Sequence, residues 1–170
     1  MGEPHDTSPG DAMPGHLLTR VPHSAAIGIR VLELGDGRAL VRIPYADHLI
    51  GDPDTGVVHG GVITAALDNA SGMAVHSALA DPTSIATLDL RIDYMRPATA
   101  GRDILASAHC YRHTRNIAFV RGAAYHDDPE DPIATTVATF VVSSNQTRKL
   151  HQGGDGQRSD EGPTRPREAR

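Results

Sequence analysis

Cysteine is nearly absent from this chain: Cys110 is the only one among 170 residues. A single thiol excludes an intrachain disulfide and a cysteine-based zinc site within one subunit. A surplus of positive charge is missing too. Sixteen Lys and Arg stand against 21 Asp and Glu, a formal net charge of -5, whereas a surface that reads phosphates draws on a cationic excess. Nucleic acid is therefore not an expected partner. No apolar stretch approaches the length of a membrane span, and the first residues show no apolar run behind a basic start. The expectation is a cytoplasmic protein with no membrane partner. The ten histidines are scattered singly, without paired spacing on a common face, so neither a metal nor another cofactor is expected.

What is present is enough apolar character, 39%, to fill the core of one domain. Composition shifts mark its limits. Residues 1–16 are rich in Pro, Gly and Asp, and residues 145–170 are polar and charged, which predicts a flexible tail at each end and a folded domain over 17–144.

Within that span Ile29–Leu34 and Arg38–Ile43 are apolar runs separated by Gly35-Asp36-Gly37, the chemistry of a β-hairpin. Pro44–Val58 reads as a loop. Val62–Leu79 contains no proline, and its apolar residues spread around most of a helix circumference, which predicts a helix buried on several sides. Four strands are expected after it: Ile85–Met95, Asp103–Arg112, Ile117–His126 and Ile133–Val142. In the first, Leu88, Leu90, Ile92 and Tyr94 alternate with Thr87, Asp89, Arg91 and Asp93, the pattern of a half-buried antiparallel strand. The order β-β-α-β-β-β-β predicts an α+β fold with one long central helix wrapped by a curved antiparallel sheet.

Two features on the helix could carry chemistry. His59-Gly60-Gly61 opens it, and a helix amino terminus offers unpaired N–H groups that glycines leave accessible, as an oxyanion site requires. The same residues would also suit a plain loop-to-helix turn. Asp68 lies in the middle of the apolar helix, where an unpartnered carboxylate is costly. Either Thr64, Asp68 and Ser71 form a wet stripe on one face, or Asp68 is a general base or nucleophile in a dry pocket. Gly61 and Asp68 are about 10 Å apart along the axis, too far to reach one carbonyl carbon together. If both act on one substrate, two antiparallel copies must share the site, which predicts a homodimer with composite active sites.

The stretch from Asp52 through His59-Gly60-Gly61 to Asp68-Asn69-Ala70, with Ala86-Thr87-Leu88-Asp89-Leu90-Arg91-Ile92-Asp93-Tyr94-Met95-Arg96-Pro97 after it, resembles the PaaI-type branch of the hotdog-fold acyl-CoA thioesterases. The resemblance runs from about Ala25 to Val142. It implies an acyl-CoA substrate and a homodimer or a dimer of dimers. It also implies that the Gly61 amide, or that of Gly60, polarises the thioester carbonyl, that His59 supports the loop, and that Asp68 activates water or attacks directly. Thr87 corresponds to a hydroxyl residue that orients the water. Where many relatives place an asparagine before the histidine, this chain has Asp52, which cannot donate unless protonated.

Leu88, Arg115 and Asn116 are candidate contacts to the substrate, with Arg112 and Arg96 as further cations for the coenzyme A phosphates. Leu67, Met73 and the surroundings of His76 are candidates for the acyl pocket. Two rival readings use the same fold: an acyl-CoA-binding protein without catalysis, and an enoyl-CoA hydratase.

Overall fold

The computed structural model describes residues 21–79 and 84–143. Both expected tails, 1–16 and 145–170, lie outside the described residues.

The chain enters through a short helix, α1 (Pro22–Ile27), whose proline sits in the first turn, where its missing N–H costs nothing. Strands β1 (Arg30–Gly35) and β2 (Arg38–Ile43) follow as the predicted hairpin. Asp36 and Gly37 both take positive φ, 49° and 71°, which gives a two-residue turn matching the twist of the strands it joins. The segment expected to be a plain loop has structure of its own. A turn of 3-10 helix (Asp47–Leu49) leads into a ribbon of β3 (Ile50–Asp52) and β4 (Val57–Val58). The ribbon brings Gly51 against His59, where a Cβ would lie 2.7 Å from His59 Cα. Only glycine fits there.

Helix α2 (Gly60–Ala78) is the predicted central helix. Ala66, Leu67, Ala70, Ala74 and Val75 are wholly buried, and the helix packs chiefly on β6, β2 and β7. Small residues four apart at 66, 70 and 74 let its backbone approach the sheet. Leu67, fully enclosed, contributes about 1.5–3 kcal/mol of burial.

Beyond α2 come β5 (Ser84–Tyr94), β6 (Ile104–His113), β7 (Ile117–Tyr125) and β8 (Ala134–Ser143). The six long strands form one sheet in the order β1-β2-β6-β7-β8-β5, each neighbour antiparallel. The sheet curves around α2, a hotdog architecture. Bulges fall between Val31 and Glu33, Thr87 and Asp89, and Cys110 and Arg112, where an extra residue increases twist and bends the strand.

The bulge in β5 corrects the alternation read from the sequence. Thr87 pairs with Phe140 and Asp89 with Thr139, so Leu88 is the inserted residue. Leu90 and Ile92 pack on the core as expected, while Leu88 is 65% exposed. Because the insertion switches the parity of the strand, Thr87 joins Leu90 and Ile92 on the helix side.

Candidate active site

The opening of α2 is built from bonds between near neighbours. Leu49 O accepts the His59 N–H at 2.8 Å, which fixes His59 as the residue capping the helix. Its Nδ1 then accepts the Gly61 N–H at 3.0 Å, and its carbonyl accepts the Val62 N–H at 2.9 Å. Of the first amides, Gly61 and Val62 are engaged. Among the described residues nothing accepts the Gly60 N–H. The sequence offered the Gly61 amide, or that of Gly60, as a carbonyl donor; the capping histidine engages Gly61, and the Gly60 N–H is the open one among the described residues. His59 supports the turn by making that bond itself.

Tyr94, at the end of β5, completes the opening. Its hydroxyl donates to Gly60 O at 2.8 Å and lies 2.8 Å from Thr64 Oγ1. Sequence reasoning assigned Tyr94 only a place in the strand pattern. The available signal was its position beside Met95-Arg96-Pro97, where β5 ends level with the start of α2.

At mid-helix, half-buried Asp68 accepts a hydrogen bond from Thr87 Oγ1 at 2.8 Å through Oδ1. The carboxylate is thereby oriented, with Oδ2 left to meet a water or a substrate. The three residues of the supposed wet stripe separate: Thr64 is tied to Tyr94, Asp68 to Thr87, and Ser71 is fully buried. Asp68 borders a cavity of about 250 Å³. The helix contributes Asn69, Gly72, Met73 and His76, and the opposite wall includes Ile85, Thr87 and Phe140. Val21 and Leu34 close the side near α1, and Ser24 of α1 donates to Asn69 Oδ1 at 3.1 Å, tying α1 to the helix. Of the acyl-pocket candidates, Met73 and His76 line the cavity, whereas Leu67 lies in the core behind it.

Asp52 ends β3 and is exposed where the turn to β4 begins. Its carboxylate accepts from Thr55 Oγ1 at 2.6 Å and from Asp54 N–H at 3.1 Å. The Thr55 hydroxyl and then the Asp54 amide hold its pKa below the ordinary carboxylate value. It is an acceptor that shapes the loop. Arg115 and Asn116 occupy the exposed β6–β7 turn. Asn116 O accepts the Val142 N–H at 2.7 Å, and Val142 pairs with Ile85, so this turn lies at the end of the sheet where β5 begins, near Thr87. Arg112 is exposed at the same end, whereas Arg96 is committed to Asp131 through Nε and Nη2. Leu88 lies outside the cavity wall.

Residues 55–133 match the model of the Thioesterase superfamily. A crystal structure of a protein from Pseudomonas aeruginosa is 42% identical, covering 75% of this chain and 94% of that one, with a TM-score of 0.69. A mutant of the phenylacetic acid degradation protein PaaI from Thermus thermophilus is 28% identical over 71% of this chain and 97% of that one, with a TM-score of 0.61. The chain belongs to the thioesterase superfamily. It has the hotdog fold of the PaaI-type branch, and thioester hydrolysis is the chemistry of that family. Among its relatives in this thioesterase family, the medium/long-chain acyl-CoA thioesterase YigI of Escherichia coli is 26% identical over 139 residues, 74% of this chain and 88% of that protein. A Halobacterium salinarum relative with a provisional esterase name is 40% identical over 89 residues, and there the match spans 51% of this chain and 58% of that protein. No described helix is long and apolar enough to cross a membrane, and no described group of three or more His, Cys, Asp or Glu could hold a metal ion.

Proposed function

We propose that this thioesterase hydrolyses acyl-CoA to a free acid and coenzyme A, at sites shared between two copies of the chain. The observation that carries the reading is Asp68, held by Thr87 at the mouth of an apolar cavity. In the reaction, Asp68 takes a proton from a water that attacks the thioester carbon, or attacks that carbon itself. The carbonyl oxygen gains the negative charge and is met by the Gly60 N–H, strengthened by the helix dipole. The C–S bond then breaks and the thiolate leaves; in the base route it takes the proton that Asp68 holds, and in the nucleophile route it takes a proton from solvent while water hydrolyses the acyl–Asp68 anhydride to the free acid and restores the carboxylate. Arg115, with Asn116 beside it, supplies a cation for the coenzyme A phosphates. YigI, named a medium/long-chain acyl-CoA thioesterase, supports the substrate class.

Gly60 and Asp68 of one chain are about 12 Å apart along the helix, so one thioester cannot use both. Strand β5 supplies a way to join them. It is an edge strand of eleven residues, and Leu88, Tyr94 and the following Met95 are 65%, 51% and 63% exposed. A long apolar edge invites pairing. Thr87 marks the Asp68 half-site and Tyr94 the Gly60 half-site on this one strand. Antiparallel pairing of two copies about a two-fold axis between them sets Thr87 of one copy opposite Tyr94 of the other, and therefore Asp68 of one beside Gly60 of the other.

Complementation tests this arrangement. Gly60→Pro removes the open N–H at a position that tolerates proline, since His59 already has φ -60° and ψ 133°. Gly60→Pro and Asp68→Asn homodimers should each release almost no thiol from acyl-CoA. Co-expressed, half of the dimers carry one intact site, and activity should return to about a quarter of wild type. Absence of recovery in purified mixed dimers would refute the shared site.

A further inference from the structure

Helix α2 carries a residue that its own stability argues against. Gly72 lies in the helix interior, where glycine is less favourable than alanine because its backbone loses more freedom on folding. Backbone geometry supplies no reason for it. Its φ is not positive, and a Cβ built there would meet Ile85 Cδ1 and Phe140 Cε1 at 3.7 Å each, an ordinary contact. The fold alone accepts alanine here. What the glycine leaves is room, and that room belongs to the cavity beside Asp68.

The cavity has direction. Asp68, Gly72 and His76 recur every four residues and form one stripe on α2, about 12 Å long at standard rise. Asp68 and Thr87 mark the polar end. His76 marks the other, where burial pushes the imidazole pKa below its ordinary value and favours the uncharged ring. Between these ends the walls are mostly hydrocarbon, from Val21, Leu34, Met73, Ile85 and Phe140, and the polar Asn69 already bonds to Ser24 and to Ala65 O. A charged or hydroxyl-rich group in that stretch would lose its water without gaining a partner.

We infer that this cavity receives the acyl group, that the group is an uncharged straight chain of medium length, and that Gly72 sets how much of it fits. The inference rests on the thioesterase reading and adds to it the substrate class and a specificity residue. The stripe from Asp68 to His76, about 12 Å long, is the reach of an extended chain of about eight to ten carbons.

Thiol release from a straight-chain panel, acetyl-CoA to palmitoyl-CoA, tests this in wild type, Gly72→Ala and Gly72→Leu. Wild-type kcat/KM should peak near octanoyl or decanoyl. Gly72→Leu, filling the gap between α2 and Phe140, should lower the octanoyl-to-butyryl ratio of kcat/KM by at least about tenfold. Gly72→Ala should lower it less and melt at a higher temperature than wild type. A wild-type profile flat from butyryl to palmitoyl overturns the inference while hydrolysis stands. So does an unchanged ratio in Gly72→Leu or, should that variant not fold, in Gly72→Ala. A wild-type protein inert on the whole panel removes the thioesterase reading and this inference together.

Discussion

At the opening of α2, His59 takes the Gly61 N–H two residues away and Tyr94 takes the Gly60 carbonyl, so the backbone there is held from both sides whether or not a substrate is present. At the middle of the helix, Asp68 depends on one hydroxyl, Thr87, nineteen residues further along the chain. In the proposed reaction the opening is a rigid donor. The middle is a charge aimed by a strand, and its aim depends on the Leu88 bulge that turned Thr87 inward. A rigid donor and an aimed acid suit opposite ends of a polarised carbonyl: one must not move as charge develops, and the other must be free to exchange a proton.

The largest break in this comparison should come at Asp68 itself. Asp68→Asn keeps the shape and a partner for Thr87 but removes the base, and kcat should fall by about a thousandfold with the melting temperature close to wild type. Activity surviving within tenfold would move the chemistry elsewhere. The two supporting hydroxyls give the next effects, and their order is the sharper test. Thr87 donates to a carboxylate, and a bond to a charged group contributes about 1.5–3 kcal/mol, so Thr87→Val should lower kcat by tenfold or more. Tyr94 donates to a neutral carbonyl, and Gly60 is also fixed through His59, so Tyr94→Phe should cost only about threefold. The reverse order would mean that the opening, not the acid, limits the rate.

The sequence also treated these two regions unequally. His59-Gly60-Gly61 was legible because a helix start is a local event: a capping residue, two glycines and a proline-free apolar run are contiguous. The six long strands were legible to within a residue or two because each is bounded by its own turn, whereas the short β3–β4 ribbon was read as a loop. The resemblance singled out Thr87, but the side of the strand it faces was hidden, since Leu88, Leu90 and Ile92 alternate cleanly on paper and only the pairing with Phe140 and Thr139 of β8 shows that Leu88 is the inserted residue. A bulge is a property of two strands. The same holds for the difference between the Gly60 and Gly61 amides, since His59 Nδ1 accepts the Gly61 N–H and the Gly60 N–H has no acceptor among the described residues.

Ser71 gives the smallest effect and the cleanest contrast with Asp68. The two residues are three apart, both polar and both in the middle of α2, yet Asp68 has a partner and a cavity, whereas Ser71 is fully buried and its Oγ has no hydrogen-bond partner among the described residues. A buried hydroxyl without a partner is a cost to folding of about 1–3 kcal/mol, while deleting one atom leaves only a small void. Ser71→Ala should therefore stabilise the protein by about 1 kcal/mol, a rise of about 3–4 °C in melting temperature, with kcat unchanged. A drop in melting temperature would show that the hydroxyl is bonded in the folded protein, and the distinction between a polar residue kept for chemistry and one merely tolerated by the core would no longer separate these neighbours.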